Sequence, residues 1–590
     1  MRIAQIALLF LICATARAQE STQATMDAIV ARFTAEMDPA AMDALDSDAI
    51  LSRITPEERA VLATKHSYFD VDIPVVVSVL RDAQQSVVPF WLTERGFEKS
   101  GLVVTNMLDW NYEVWQKSFP AGRVELGING FDQHRAHYLV GVGPQEAGAK
   151  PVISNRYPAQ HAMVTLEPGA PCYWDWSDLV LKEVPEALLG HTFLTTVRGR
   201  SREAHIIQAF RETPFPSSGK PDQIMLTWSG DPKTTQAIQW RTGTAIEDGV
   251  VRYRKAGSKG DFVEAAARSF VFEDRLLRND TRIHRWTADL NGLEAATEYE
   301  YYVGSPAANL WSGYNRFKTA PAKKEPFTWV YFGDTHKAPE WGNTITQAFA
   351  RHPETAFYTI GGDLVSTGLY RDHWDHLFAY SEHVVSQRPL MPSIGNHDDQ
   401  DGLGCWMYLE NFALPENGPD KLEKERAYSF EYGNALFVIL DVTQVIEDQT
   451  AWLEQQLVGS SATWKFAIFH FPPYCMETDF DLDYADIRAA WGPLFDKYHM
   501  DMVFSGHVHS YMRSKPIRNQ QVVDSPKEGT IYVVSIAIPN GPGKLPAKDF
   551  GAIWFGGPPL YQTIHIDGNR LEYTAREADG RVRDELAIEK

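Results

Sequence analysis

The sequence predicts a multidomain protein of mixed α/β (α+β) class, and three observations carry that reading. The chain has 590 residues, too many for one hydrophobic core. Its C-terminal half alternates hydrophobic strand-like runs with helical patterns, the signature of a layered α/β core. Its middle consists of short alternating runs bounded by Gly, Asp, Asn and Pro, as in an antiparallel β-sandwich.

The first residues read as a secretory signal over 1–18. Arg2 supplies the positive n-region, IALLFLICA the apolar h-region and Ala16-Arg17-Ala18 the cleavage site. The apolar run is too short to span a bilayer, and no later stretch is long and apolar enough to do so. A secreted or periplasmic location is expected. Cleavage removes Arg2 and Arg17 and no acid, so the formal charge moves from -21 to -23. Such acidity makes nucleic acid a poor partner, whereas small phosphorylated substrates stay open because bound metal ions dominate a local field.

Residues 20–212 form an accessory module of α+β character. MDAIVARFTAEM and TPEERAVLATKH carry apolar residues at helical spacing. Trp110, Trp115, Tyr173, Trp174 and Trp176 follow among Gly and Pro, and suit a glycan- or surface-binding face or a buried core equally. PFPSSGKPDQ near 214–223 reads as a linker. The sandwich is expected over 218–320, with Tyr299, Tyr301 and Val303 on one face at period two. From 325 to 590, WGNTITQAFARH, DHWDHLFAYSEHVV, DQTAWLEQQL and YADIRAAWGPLFDKYH are helical candidates between strands.

Five hydrophobic runs of this last domain each end in a potential metal ligand. They are FTWVYFGDTH, AFYTIGGD, LMPSIGNHD, WKFAIFH and MDMVFSGHVH. The donors are Asp334 and His336, Asp363, Asn396, His470, and His507 with His509. Loops at strand ends carry chemistry because the sheet fixes the donors while the tips stay open. Each motif alone is common; the ordered set is not. Carboxylate, imidazole and amide oxygen together suit Mn, Fe or Zn better than Ca or Mg. Seven donors exceed one tetrahedral ion and match two ions sharing a carboxylate. His397, adjacent to Asn396, is left to protonate a leaving alkoxide or hold transition-state charge.

Other residues are open to two readings. His373 and His376 in YRDHWDH, and Tyr511 after the H-x-H, are candidate substrate contacts, or else pack or face solvent. Asp398, Asp399 and Asp401 read as a solvated acidic loop. Of four cysteines, Cys13 leaves with the signal, and Cys172, Cys405 and Cys475 remain. If the loops bearing Cys405 and Cys475 rim one site, a disulfide between them ties the rim; otherwise all three are buried thiols.

DTH, GGD, GNHD, FHFPPY and GHVH resemble the calcineurin-like metallophosphoesterase superfamily. Within it the chain is most similar to the purple acid phosphatases. YYVG…WSGYNRFKTAP mirrors their N-terminal sandwich, which is fibronectin III-like, and GHVHSYMR at 506–513 mirrors their GHVHxYxR signature. The resemblance spans about 218–575 and not 20–212. It implies a four-layer αββα catalytic domain over 325–590. It assigns Asp334, His336 and His509 to one ion and Asn396, His470 and His507 to the other, with Asp363 bridging. His397 becomes the acid or transition-state stabiliser, and a metal-bridging hydroxide the nucleophile. Phosphomonoester hydrolysis follows, with phosphodiester hydrolysis as the near rival. An exported glycan- or surface-binding protein with a structural metal site is the rival from another class. The oligomeric state stays open. One departure stands out: Ser366 lies where the family's GDxxY motif has its iron-binding Tyr, and His336 lies where those enzymes usually have Gly.

Overall fold

The computed structural model of the protein describes residues 21–133, 136–158, 162–173, 176–400, 403–476, 484–539 and 545–590. The expected signal, Trp174 and Asp401 lie outside the described residues. Two compact units result, one of residues up to 174 with 179–209, the other of 175–178 with 210–590. Among the described residues no helix is long and apolar enough to cross a membrane.

The first unit opens with the helix Thr22–Glu36, whose N-cap Ser21 accepts the Ala24 N–H. The helix Pro56–Thr64 starts in a capping box, in which Thr55 and Glu58 satisfy each other's backbone N–H groups. An eight-stranded antiparallel sheet follows, with Val75–Asp82 between Asn111–Phe119 and Leu139–Pro144. Val75, Val77 and Val79 bury one face of it beside Trp91 and Phe97. Trp115 packs against this cluster, and the buried Tyr173 donates its hydroxyl to the His137 carbonyl at 3.0 Å. Both aromatics thus contribute to packing within the unit.

The sandwich faces a four-stranded sheet against a five-stranded one. The first runs Asp222–Thr227, Gln236–Gly243, Arg282–Leu290, Arg268–Glu273. In the second, Glu298–Ser305 pairs with Val250–Lys255 and Asn315–Lys318. Tyr299, Tyr301 and Val303 share one buried face, as their spacing predicts. The Tyr299 hydroxyl accepts the Glu294 N–H at 2.9 Å, bracing the turn that precedes its strand. The 214–223 segment is no loose tether, since Ser217 donates its N–H and hydroxyl to Asp280 at 2.8 and 2.7 Å.

The last domain stacks two sheets between helices. A five-stranded sheet runs Thr355–Ile360, Phe327–Phe332, Leu560–Asp567, Arg570–Glu577, Val582–Glu589. A seven-stranded sheet contains the parallel series Ala435–Ile439, Trp464–Ile468, Met502–Ser505, Ile531–Val534. Strand periodicity splits that series cleanly. Phe437, Phe466, Ile468, Phe504 and Val533 enter the core shared with the other sheet. Val438, Ala467, Phe469, Val503 and Tyr532 face the helices Glu447–Gly459 and Gly492–Tyr498 instead. On the opposite side, Trp341, Ile345 and Leu377 bring the helices Pro339–Arg351 and Arg371–Val385 onto the core. YADIRAAWGPLFDKYH forms two helices, Ala485–Ala490 and Gly492–Tyr498, because Pro493 supplies no N–H to carry the hydrogen-bond ladder across Trp491 and instead sits in the first turn of the second helix. Met225, Trp228 and Phe272 of the sandwich belong to the same core, so these two modules share one hydrophobic interior.

Candidate metal centre

The motif glycines let the donors approach. Asp334 and Asp363 use their two carboxylate oxygens in the same way. On each, Oδ1 accepts the backbone N–H of another loop, Asp334 that of His507 at 2.8 Å and Asp363 that of His397 at 2.9 Å. Each thereby aims Oδ2 at imidazoles. A Cβ on Gly506 would lie 2.0 Å from Asp334 Oδ1, and one on Gly395 would lie 2.2 Å from Asp363 Oδ1. Only glycine leaves room for either carboxylate. The carbonyl of Asp363 also accepts the N–H groups of Thr335 and His336, at 3.2 and 2.9 Å, binding the first two loops together. His336, Asp363 and His507 hold left-handed backbone conformations, with φ of 43°, 50° and 67°.

The side chains gather into two triads, Asp334–His336–His509 and Asp363–His470–His507. Within each, one donor atom per residue lies within 4.8 Å of the others. Asp334 Oδ2 is 3.1 Å from His509 Nε2, and Asp363 Oδ2 is 3.2 Å from His470 Nε2. Asn396 joins the second triad, its Oδ1 3.1 Å from His470 Nε2. His470 donates Nδ1–H to the Gly361 carbonyl at 2.9 Å, which frees Nε2 for coordination. His397 belongs to neither triad. It donates Nδ1–H to the Ser366 carbonyl at 2.8 Å and points Nε2 to within 3.9 Å of Asp363 Oδ2.

The electrostatics fit a cation in each triad. Asp334 and Asp363 are buried, and among the described residues neither pairs with Lys or Arg. Asp334 Oδ2 and His336 Nδ1 are buried without a well-directed hydrogen bond. Burial alone would discharge His470, yet Asp363 and Asp334 outweigh it and hold that imidazole's pKa up at about 9. Desolvation and the neighbouring His470 push half-buried His507 down to about 3, so it stays neutral, ready to ligate. Buried anions that recruit protons onto neighbouring imidazoles are what two bound ions would replace. The carboxylate, imidazole and amide donors suit Mn, Fe or Zn, two ions in all.

Several neighbouring residues do otherwise than expected. Asp398 and Asp399 are no solvated loop. Asp398 is buried and accepts the N–H groups of Leu364, Val365 and Gly395 at 3.2, 3.2 and 2.9 Å, stitching the GGD loop to the GNHD loop. Asp399 is buried against Arg426 at 2.8 Å, and Arg426 also holds Asp441 at 2.7 Å. Tyr511 is no substrate contact: it is buried, with its hydroxyl 2.8 Å from that of Tyr573 and 2.7 Å from Asp584 Oδ2. His376 donates Nδ1–H to the Asp372 carbonyl at 2.7 Å within its own helix and packs edge-on against Phe215. His373 is buried against Tyr370, and burial lowers its pKa to about 3. Tyr370 lies under the Arg211 guanidinium, 3.6 Å from ring centre to Cζ, and in neither triad. No disulfide joins Cys405 to Cys475; each thiol is buried in a different apolar cluster.

Residues 221–319 match the family model for the purple acid phosphatase N-terminal domain, and residues 327–511 that for calcineurin-like phosphoesterases. An uncharacterized protein of Mycobacterium tuberculosis is 27% identical over 345 residues, which cover 51% of this chain and 64% of the relative. The chain therefore spans less than two thirds of that relative's length. The Fe(3+)-Zn(2+) purple acid phosphatase 12 of Arabidopsis thaliana is 25% identical over 328 residues, 52% of this chain and 68% of its own. Purple acid phosphatase PPD1 from yellow lupin superposes with a TM-score of 0.56 at 17% identity, covering 90% of this chain and 91% of that one. Such coverage carries the likeness of fold into the N-terminal unit, beyond the reach of the sequence motifs. With both matched segments and both triads in view, the chain resembles the purple acid phosphatases, with a calcineurin-like phosphoesterase domain behind their N-terminal domain.

Proposed function

We propose that the protein is an exported phosphoesterase that holds two metal ions and hydrolyses phosphomonoesters. The observation that carries this reading is the pair of triads with His397 beside them, outside both and partly exposed. Bound there, two ions would supply a nucleophile at neutral pH and neutralise phosphoryl oxygens. Asp334, His336 and His509 would hold one; Asn396, His470 and His507 would hold the other, with Asp363 as the carboxylate they would share. His397 presents Nε2 to the leaving-group side, because its Nδ1–H is committed to Ser366. From there it donates a proton to the departing alkoxide. A site with a purely structural metal has no use for this extra imidazole.

The monoester preference rests on the kinship with proteins named as acid phosphatases, and export rests on the N-terminal sequence. His336 takes a place in the first triad while Ser366 offers only its carbonyl, so the iron-loaded protein is expected to lack a phenolate charge-transfer band. The deciding experiment loads the purified protein with Mn, Fe or Zn and compares an aryl phosphomonoester with its diester. Monoester turnover at least tenfold above diester turnover supports the reading, and the reverse makes the protein a diesterase. His397→Ala should keep both ions and lose roughly 10²- to 10⁴-fold in kcat, the range for general acid–base groups. Full activity in that variant would remove His397 from the chemistry.

A further inference from the structure

We propose that Trp374 is a positioning residue for His397, and that the β-sandwich makes that placement rigid by gripping the helix on which Trp374 stands. The proposal rests on the reading of His397 as a proton donor.

The path is continuous and short. His397 is oriented by one side-chain hydrogen bond, to the Ser366 carbonyl, and its own carbonyl accepts the Gly368 N–H at 2.8 Å. The 366–368 turn is therefore the cradle of the imidazole. That turn packs closely on the GNHD loop, since a Cβ on Gly368 would lie 2.1 Å from the Asp398 carbonyl oxygen. From the other side Trp374, fully buried, donates its indole N–H to the Gly368 carbonyl at 2.9 Å.

Trp374 lies in the first turns of the helix Arg371–Val385, and the sandwich holds these turns with buried charge. Asp375 receives Arg241 at 2.7 Å and Gln223 at 2.9 Å from the sandwich, and Arg371 at 3.1 Å from its own helix. Arg371 in turn reaches Asp280 of the sandwich at 3.0 Å, and its backbone N–H meets Asp274 at 3.1 Å. Arg371, Asp375 and Arg241 are each about 1% exposed, so these ion pairs are shielded from water. Tyr301 of the sandwich closes the far end of the helix, donating to the Ser386 carbonyl at 2.6 Å. A helix pinned at both ends cannot rotate, and the indole N–H of Trp374 stays aimed at the turn beneath His397. A misaligned donor costs far more rate than its modest displacement suggests.

The test is Trp374→Phe, alone and combined with His397→Ala, in the metal-loaded full chain. Trp374→Phe should keep both ions and a KM within about twofold, and lower kcat on an alkyl phosphomonoester by roughly 10- to 100-fold. The loss should be several-fold smaller on an aryl ester whose leaving group departs without a proton. In the His397→Ala background, Trp374→Phe should cost nothing further. In ¹⁵N-histidine spectra of the metal-free protein, the hydrogen-bonded Nδ1–H signal absent from His397→Ala should shift or broaden in Trp374→Phe. Equal losses with and without His397, or an unmoved Nδ1–H signal, would overturn the proposal. Full activity of His397→Ala would instead sink the underlying reading, and the spectra would still decide the positioning. Should Trp374→Phe fold poorly, Gln223→Leu removes one sandwich donor while two guanidiniums keep Asp375. It should show a several-fold loss that vanishes in the His397→Ala background.

Discussion

Arg426 offers a sharp test of how the GNHD loop is held. Its guanidinium lies 2.8 Å from Asp399 and 2.7 Å from Asp441, and all three side chains are at most 7% exposed. Replacement by Met keeps much of the stem and removes the guanidinium that two buried carboxylates share. Breaking a buried pair by removing one partner costs about 3–5 kcal/mol. The cost has a pH signature. A carboxylate stranded in the interior has its folded pKa raised above the unfolded one, so the folded state binds more protons. Stability relative to the parent is then best at low pH and falls as pH rises through the raised value. Each unit of upward shift is worth about 1.4 kcal/mol. The thermal midpoint of Arg426→Met should therefore lie well below the parent's at pH 8 and recover part of the gap at pH 5.5. Adding Asp399→Asn should recover part of the loss at pH 8. A deficit under about 1 kcal/mol, or one equal at both pH values, would refute the reasoning.

Three further outcomes are expected. Gly506→Ala forces a methyl against Asp334 Oδ1, so metal analysis should show bound ions falling from two toward one with far-UV circular dichroism unchanged. Glu425, largely buried with Glu416 nearby, has its pKa raised to about 8, and its Oε1 accepts the Leu414 N–H at 3.0 Å. Its protonated form is the stable one, so this carboxyl's contribution is present below about pH 4.5 and is lost as pH rises through 8. Glu425→Gln should accordingly raise the free energy of unfolding at pH 8 by on the order of 1–3 kcal/mol, read from denaturant titrations, and leave it nearly unchanged at pH 4.5. Tyr511→Phe should cost about 1 kcal/mol of stability, since Asp584 keeps Arg513 at 2.6 and 2.8 Å, and should leave kcat within twofold.

The donors were legible in the sequence because each follows a hydrophobic run; four of the runs are strands paired in parallel, which deliver whatever comes next to one edge of a sheet, whereas the run before Asn396 holds only an isolated bridge at Leu390. The fate of their neighbours was not. Asp398 and Asp399 read as solvated because three acids cluster in sequence, yet backbone N–H groups and an arginine 27 positions away bury both. Tyr511 sits two residues past a ligand, but its partner Asp584 is 73 residues on. Cys405 and Cys475 follow loops of one site and still face separate clusters, because proximity of loops does not set the direction of side chains. Least visible was the sandwich's share in the catalytic core, which depends on Met225, Trp228 and Phe272 crossing the boundary near 320–325 at which the sequence divides the sandwich from the last domain.

Three of the candidate ligands stand on backbone that non-glycine residues rarely adopt, at His336, Asp363 and His507. Each costs on the order of 1–2 kcal/mol, and the surrounding sheets absorb it when the chain folds. The shape of the cage is therefore settled by carbon and hydrogen-bond packing before any ion arrives. An ion entering such a cage meets fixed bite distances instead of flexible arms that close around it. Choice among Mn, Fe and Zn then becomes a contest of radius and preferred geometry against an unyielding frame. A protein of this kind is retuned to a different metal by altering the frame, at glycines such as Gly395 and Gly506, as readily as by exchanging the ligands themselves.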